Sequence, residues 1–404
     1  RFSEVASHFA QAQQILEQAR KQGLENFRLL DFGWRYHLGM VAYAIGQSQY
    51  ADAKHHGAKG LQIAEELGSF RGQCFLRLNL IHLYEEAGAF ANIRQEVDTL
   101  LPLVLAMRWR WAECVAYQEL GIVQKFAGEF GAALVTNQKA LLIAQEIGEG
   151  LLEVKIALDL AYLYRLAGNS QRAEEALPIR SKGEKENSTV HPPISALMYA
   201  LLRHWQEGNL DQARTVAQQA YLLSIDMNYR WHQVCALVYL GHVQYDLQDL
   251  TAAADSYHKA LALCQTLDNP TAGMEPTAGL AKIALSQGNL VTSQQWVEQI
   301  LPLLSAPPCT ITTPIFVYLT CYQVLAANGD PRANSILQQG HDLLQQIAAN
   351  LDEETRYGFL ETIPVHSELT NRKQRTSELL VAHQPRATVC ANPVWPLGTR
   401  VRVC

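Results

Sequence analysis

The stretch YQELGIVQKFAGEFGAALVTNQKA, residues 117–140, decides the reading of this chain. Tyr117, Leu120, Gly121 and Gln124 fall at i, i+3, i+4 and i+7, which is one face of a helix. Gly128 ends that run, where a helix stops in a left-handed residue that glycine adopts at least cost. A second apolar run follows, in which Ala133 and Ala140 share a face. Small residues at such positions let two helix backbones approach closely while the large residues beside them fill the remaining space. The stretch therefore predicts two closely packed helices joined by a glycine turn.

The same pattern extends outward in both directions. Gly88, Gly128, Gly168, Gly208 and Gly288 follow helical runs in 40-residue steps, with Gln248 at the one missing place. Gly46 lies 42 residues before Gly88, and Gly329 lies 41 after Gly288. Other positions keep the phase. Leu80, Leu120, Leu160, Ala200, Leu240 and Leu280 precede each marker by eight, and Gly121, Ala161, Gly241 and Ala281 come next to them. Ala133, Ala173, Ala213 and Ala253 follow the markers by five, with Ala140, Ala220 and Ala260 seven further on. Glu129, Asn169, Asn209, Asp249 and Asn289 stand where a new helix starts and suit its N-terminus. A second stop comes twenty residues after the marker, at Gly68, Gly148, Asn228 and Asp268. Each unit is thus a pair of helices of roughly 16 residues, each about 24 Å long.

Leu120-Gly121, Gly128-Glu129-Phe130, Ala133, Asn137 and Ala140, with Tyr117 as the leading large residue, resemble the tetratricopeptide repeat signature. Leu240-Gly241, Leu250, Ala253, Tyr257 and Ala260 match it as well, and the resemblance covers about residues 1–345. It implies an all-α fold, a right-handed α–α superhelix of about eight helix-pair repeats. The longer unit is similar to those of kinesin light chains and of large bacterial multidomain signalling regulators. The segment 352–366 resembles the closing segment of arrays that such regulators join to a signal-transduction ATPase, a nucleotide cyclase or a DNA-binding domain. The expected organisation is a partial repeat at 1–29, the array at 30–305, a last repeat with capping helices at 306–374, and a disordered or poorly packed tail at 375–404. The chain begins in mid-unit, which implies upstream repeats or another domain. Pro178, the polar run from Arg180 and His191-Pro192-Pro193 interrupt the fourth unit without disturbing the period.

Composition narrows the functional classes. Apolar residues make up 48 % of the 404, which excludes wholesale disorder, and 33 basic against 39 acidic residues give a net charge of −6. That balance argues against non-specific nucleic-acid binding, which needs clustered positive charge. No stretch is long and apolar enough for a membrane-spanning helix. Eight cysteines without a CxxC pair suit buried thiols in a reducing cytosol better than a disulfide framework, so a cytoplasmic location is expected.

Chemistry finds no constellation in the sequence: there is no phosphate loop, GxGxxG, HExxH or GxSxG. His55-His56 point about 100° apart on a helix and cannot share a metal. No enzyme activity, cofactor or metal is expected. The resemblance instead implies a concave face lined by the first helix of each unit. It would carry Phe75, His82, Glu85 and Glu86, then Gln118, Ile122 and Lys125, Tyr162 and Arg165, Met198 and Trp205, and His242 and Tyr245. Of these, Gln118, Lys125, Tyr162, Arg165, Trp205, His242 and Tyr245 form the candidate groove. Aromatic and arginine residues are the usual anchors of binding energy, although Tyr162, Trp205 and Tyr245 equally suit packing between repeats. Trp109 and Trp111, like Tyr229 and Trp231, flank an arginine at equivalent helix starts, as stacking pairs or as extra core. The expected function is a scaffold for protein or peptide partners within a larger cytoplasmic regulator, with Arg165 favouring an acidic or C-terminal carboxylate. A small-molecule inducer held in the same groove is the alternative.

Overall fold

The computed structural model describes residues 2–22, 27–47, 49–177, 194–267, 269–304 and 313–382. Helix α1 (Phe2–Lys21) precedes eight helix pairs. They are α2 (Phe27–Gly46) with α3 (Tyr50–Glu66), α4 (Phe70–Glu86) with α5 (Phe90–Ala106), α6 (Arg110–Phe126) with α7 (Phe130–Ile147), and α8 (Gly150–Leu166) with α9 (Ser170–Ala176). The second four are α10 (Ile194–Gln206) with α11 (Leu210–Asp226), α12 (Arg230–Asp246) with α13 (Leu250–Cys264), α14 (Met274–Ser286) with α15 (Leu290–Ile300), and α16 (Pro314–Ala327) with α17 (Ala333–Ala349). A short α18 (Glu353–Tyr357), a π-helical turn over Gly358–Thr362 and α19 (Pro364–Ala382) close the described chain. The fold is an all-α solenoid.

The period has the physical cause read from the sequence. Gly88, Gly128, Gly168, Gly208, Gly288 and Gly329 all take positive φ. Gln248 fills the gap in the series at φ 63° and adopts the same left-handed turn without being glycine. Gly46 differs: it is the last residue of α2 and is not left-handed. Of the second stops, Gly68, Gly148 and Asn228 are left-handed, Arg108 joins them, and Asp268 lies outside the described residues. Asn169, Asp249 and Asn289 accept a hydrogen bond from the backbone N–H three residues on, whereas Glu129 and Asn209 make no such cap. Ala133, Ala140, Ala173, Ala213, Ala220, Ala253 and Ala260 are completely buried at the helix crossings. Leu120 packs at the edge of the core beside Tyr117 and Ala140.

Glycines at the crossings are matched to particular side chains. A Cβ at Gly121 would collide with the Asn137 amide, and one at Gly241 would lie 2.5 Å from the Tyr257 ring. Asn137 and Tyr257 occupy the same place in units three repeats apart, so a glycine opposite makes room for a large side chain in each.

First helices form one layer: α4 packs on α6, α8 on α10, α10 on α12, and α12 on α14. Second helices α3, α5, α7, α11, α13 and α15 each pack against both first helices that flank them, whereas the short α9 packs on α8. The superhelix then closes on itself, because α12 also packs against α4, four units earlier. Trp231 sits edge-on to Phe90 and Phe126 at 5.2 and 5.5 Å and covers Gly88. The Arg230 guanidinium lies 4.5 Å from the Tyr50 ring, and Tyr229 meets His82.

A second closure joins the C-terminal segment to the turns of units three and four. Arg172 pairs with Asp352 at 3.0 Å and Glu354 at 3.2 Å, and Asn169 Nδ2 donates to Thr355 Oγ1 at 3.2 Å. Phe359 packs edge-on against Phe130. Here two backbones touch, since a Cβ on Gly358 would stand 2.5 Å from the Gly168 carbonyl oxygen. The segment 352–366, expected as a closing element, thus folds back on the array. Helix α19 runs to Ala382, past the expected tail boundary at 375, and 383–404 lie outside the described residues. Pro178 to Pro193 and Pro307-Pro308 also lie outside them.

Candidate functional site

The inner face of α4, α6, α8 and α12 gathers an unusual set of ionisable groups. Helix α4 supplies His82 and Glu85, α6 supplies Glu119 and Lys125, and α8 supplies Lys155 and Asp159. His232 on α12, with Tyr229 at its N-terminus, faces them across the closure. Each interacts electrostatically with Glu85, Lys155 or both. Yet among the described residues no ion pair within 4.0 Å joins Glu85, Glu119, Asp159, Lys125 or Lys155 to a neighbour, although such pairs are frequent on the outer surface. Direct polar contacts at this face include Gln118 Nε2 donating to Asp159 Oδ2 at 3.0 Å and His82 Nε2 lying 3.3 Å from Glu86 Oε1.

Protonation follows from that environment. Burial, reinforced by Glu85 and Asp159 against the opposing Lys155, pushes the Glu119 carboxyl up to about 8. Burial likewise raises Asp159, against Lys155, Lys125 and the Gln118 hydrogen bond. At Glu85 burial is outweighed by Lys155, His232, His82 and Lys125, which hold its carboxyl below the usual range. Burial opposes the charge on Lys155, but Glu119, Glu85 and Asp159 together override it and raise that ammonium. Burial lowers Lys125, with Asp159 opposing. It also lowers His82, and takes His232 down to about 4, so both imidazoles are neutral at pH 7. Glu119 is 5 % exposed, and its Oε2 has no hydrogen-bond partner.

Of the groove residues expected from sequence, Gln118 and Lys125 reach this inner face. The Lys125 ammonium lies 4.5 Å from the Phe126 ring and 5.2 Å from the Tyr162 ring. The others are committed to packing. Tyr162 is buried with its hydroxyl 2.9 Å from that of Tyr239. Trp205 stacks on His242 at 5.5 Å and donates its indole N–H to Asp246 at 2.7 Å. His242 is itself buried, with Nε2 3.1 Å from Glu275 and Nδ1 2.8 Å from the Tyr257 hydroxyl. Tyr245 packs beside Leu250 and Tyr257 under the Lys282 ammonium.

Arg165 requires a correction. Its Nη1 donates to Ser170 at 3.1 Å, and Nη2 donates to Glu174 at 2.7 Å and Glu207 at 3.3 Å. With 4 % exposure, this guanidinium is engaged within the protein and is no free receptor for a carboxylate. The reason lies in the turns: the two carboxylates come from α9 and from the end of α10, which sequence spacing alone does not place beside α8.

Glu119, Lys155, Asp159 and His232 are the inner-face residues that sequence reasoning missed. A signal was present, because Glu119 and Asp159 are 40 residues apart and each directly precedes a repeat leucine, Leu120 or Leu160. A carboxylate recurring inside an apolar helical face needs a reason.

Eight consecutive helix pairs, a left-handed turn after each first helix from α4 to α16, and buried alanines at the crossings together define the architecture. The fold is that of a tetratricopeptide-type array. No family model matches the chain, and no curated protein matches it. Among solved structures it is similar to a Rap protein complexed with Competence and Sporulation Factor, at 13 % identity and TM-score 0.48, covering 87 % of this chain and 99 % of that one. A signal-transduction ATPase with numerous domains and a tetratricopeptide repeat sensor, from Pyrococcus horikoshii, is similar at 14 % identity and TM-score 0.28, covering 88 % and 44 %. Yeast Tom70 is similar at 12 % identity and TM-score 0.25, covering 93 % and 98 %. Among the described residues no helix is long and apolar enough to cross a membrane.

Proposed function

We propose that this array is a non-catalytic interaction module that takes an extended peptide or protein segment along the inner face of α4, α6, α8 and α12. The observation that carries the reading is the set of coupled but unpaired charges there. Buried ionisable groups cost stability unless they are paired and hydrogen-bonded. Glu119 leaves that requirement unmet at Oε2, the half-buried Glu85, Lys125, Lys155 and Asp159 around it make no ion pair among the described residues, and a ligand bearing amides and charges would satisfy them. A small inducer would favour a mostly apolar pocket with a few polar groups, which this face is not. The repeat architecture suits the role, because contacts between neighbouring units leave the first-helix layer, apart from the closure of α12 on α4, to bind. In the natural protein the array would serve as the interaction or sensor arm of a larger cytoplasmic regulator.

The test is a thermal-shift screen of random peptide pools against a metabolite set, followed by hydrogen exchange on whatever binds. Protection concentrated on α4, α6, α8 and α12 is the expected outcome. Protection confined to second helices such as α5, α7 and α11 would move the binding surface to the outside. Stabilisation by a metabolite alone would favour the inducer reading.

A further inference from the structure

We propose that the inner face recognises a cationic group of its peptide, a lysine or arginine side chain or a free amino terminus, which docks among Glu119, Glu85 and Asp159. The proposal rests on the reading of that face as a peptide-binding surface and adds the chemistry of the ligand.

Glu119 supplies the decisive observation. Its side chain is almost fully buried, its Oε2 has no hydrogen-bond partner, and it lies within the electrostatic reach of Glu85, Asp159 and Lys155. A buried carboxyl oxygen left without a donor costs free energy comparable to a lost hydrogen bond. Gln124, on the same helix, also has a buried unpartnered oxygen, but its amide carries no charge for a cation to meet. What Glu119 Oε2 lacks is a partner, and for its ionised form an ammonium or guanidinium is the strongest donor available.

The surrounding charges favour a cation over an anion. Once ionised, Glu119 would join Glu85 and Asp159 as a third carboxylate against two ammonium groups, Lys125 and Lys155, and the imidazoles of His82 and His232 are neutral near pH 7. Lys155 is already held charged by all three carboxylates, so an incoming anion would meet little unspent positive charge. An incoming cation would offset the burial, and the lesser repulsion from Glu85, that keep Glu119 protonated. The net charge of −6 steers cations toward the chain at long range. Docking is therefore coupled to ionisation: the cation arrives, Glu119 becomes a carboxylate, and its proton leaves to solvent.

The experiment uses the full chain and four hexapeptide pools labelled for fluorescence anisotropy. Three are acetylated and amidated, with five randomised neutral positions and one fixed as Lys or Arg, Glu, or Gln. The fourth replaces the acetyl group of the Gln pool with a free amino terminus. The basic pool or the free-amine pool should bind about tenfold or more tighter than the Glu and Gln pools, and which of the two does so identifies the source of the cation. Glu119→Gln, nearly isosteric, should keep helicity and melting temperature and lose about tenfold of that affinity. Calorimetry at pH 7 in phosphate and in Tris should show proton release that disappears in Glu119→Gln. Preference for the Glu pool, lost in Lys155→Met, would overturn the cation assignment and leave the inner face standing as a binding surface. Cation binding unaffected by Glu119→Gln, in affinity and in proton release, would overturn it too. Binding of no pool would remove the peptide reading and this inference together.

Discussion

Adding one methyl group at Gly241 tests the packing logic of the whole array. A Cβ built there stands 2.5 Å from Tyr257 Cε1 and 2.8 Å from Cδ1 and Cζ. Carbon atoms prefer about 3.5–4.0 Å, so the ring would have to retreat by about 1 Å. It has little space to do so, because Gly279 bounds the same ring even more closely and Tyr257 is 1 % exposed. Retreat would also stretch the 2.8 Å contact between its hydroxyl and His242 Nδ1. Overpacking typically costs about 1–3 kcal/mol. A weakened buried hydrogen bond adds about 1 kcal/mol, so Gly241→Ala should destabilise by about 2–4 kcal/mol in all. Tyr257→Val should relieve the clash, since Val97 and Val297 occupy the equivalent place in other units without difficulty. That change alone leaves a cavity and costs a few kcal/mol, roughly 2–4 by analogy with other large-to-small core changes. The pair Gly241→Ala with Tyr257→Val should then be hardly worse than Tyr257→Val alone, a coupling of about 2 kcal/mol. Urea unfolding followed by far-ultraviolet circular dichroism measures all four corners of the cycle. Additivity within about 0.5 kcal/mol would mean that the glycine and the tyrosine are not matched, and the reasoning from close crossings would fail.

Other positions give independent tests. Gly121→Leu, which meets Asn137, and Ala133→Leu should each lower stability by about 1–3 kcal/mol or more in the same assay. Gln248→Gly should stabilise by about 1 kcal/mol, because it removes the strain of a left-handed non-glycine residue at φ 63°; a lowered melting temperature would contradict this. Gly358→Ala, facing the Gly168 carbonyl, should release the C-terminal segment, seen as faster hydrogen exchange at 352–362 and at the Gly168 turn. The pH dependence has a definite sign: Glu119 at about 8 and Glu86 at about 7 both lie above the ordinary 4.5. The folded chain therefore holds more protons than the unfolded one between 4.5 and those values, and their contribution to stability falls as pH rises through that window. Calorimetric melting at pH 5 and pH 8.5 should show a smaller decline in Glu119→Gln than in the wild type.

The unit of structure was legible because its causes are local. A glycine that must be left-handed, an alanine at a crossing and a leucine beside it each act within one or two helices, and their spacing survives in the sequence as a period. The candidate site was only partly legible, because it depends on how tightly the superhelix winds. Lys125 and Gln118 were read on the inner face, but Arg165 at the place equivalent to Lys125 is claimed by Glu174 and Glu207. Position within the repeat told which helix face each residue occupies, and left open which neighbour reaches it first. His232 comes to Glu85 only through the closure of α12 on α4, a contact with no counterpart in any single unit.

That closure changes what kind of molecule an array of repeats is. An open solenoid behaves as a string of nearest-neighbour terms, can lose a terminal unit at modest cost, and can begin folding anywhere along its length. Here Thr355 bonds to Asn169 across 186 residues and Arg172 reaches Asp352 across 180. Contacts of that span must wait for most of the chain, so the final step of folding should be slow and should set the barrier for the whole. These contacts tie the fourth unit to the end of the chain, as the packing of α12 on α4 ties the second unit to the sixth. Removing a repeat would shift every partner beyond it by 40 residues' worth of rotation, leaving α12 with nothing to close upon. Units of this chain would therefore resist being deleted, duplicated or exchanged one at a time, and its length should be far less free to vary than its periodic sequence suggests.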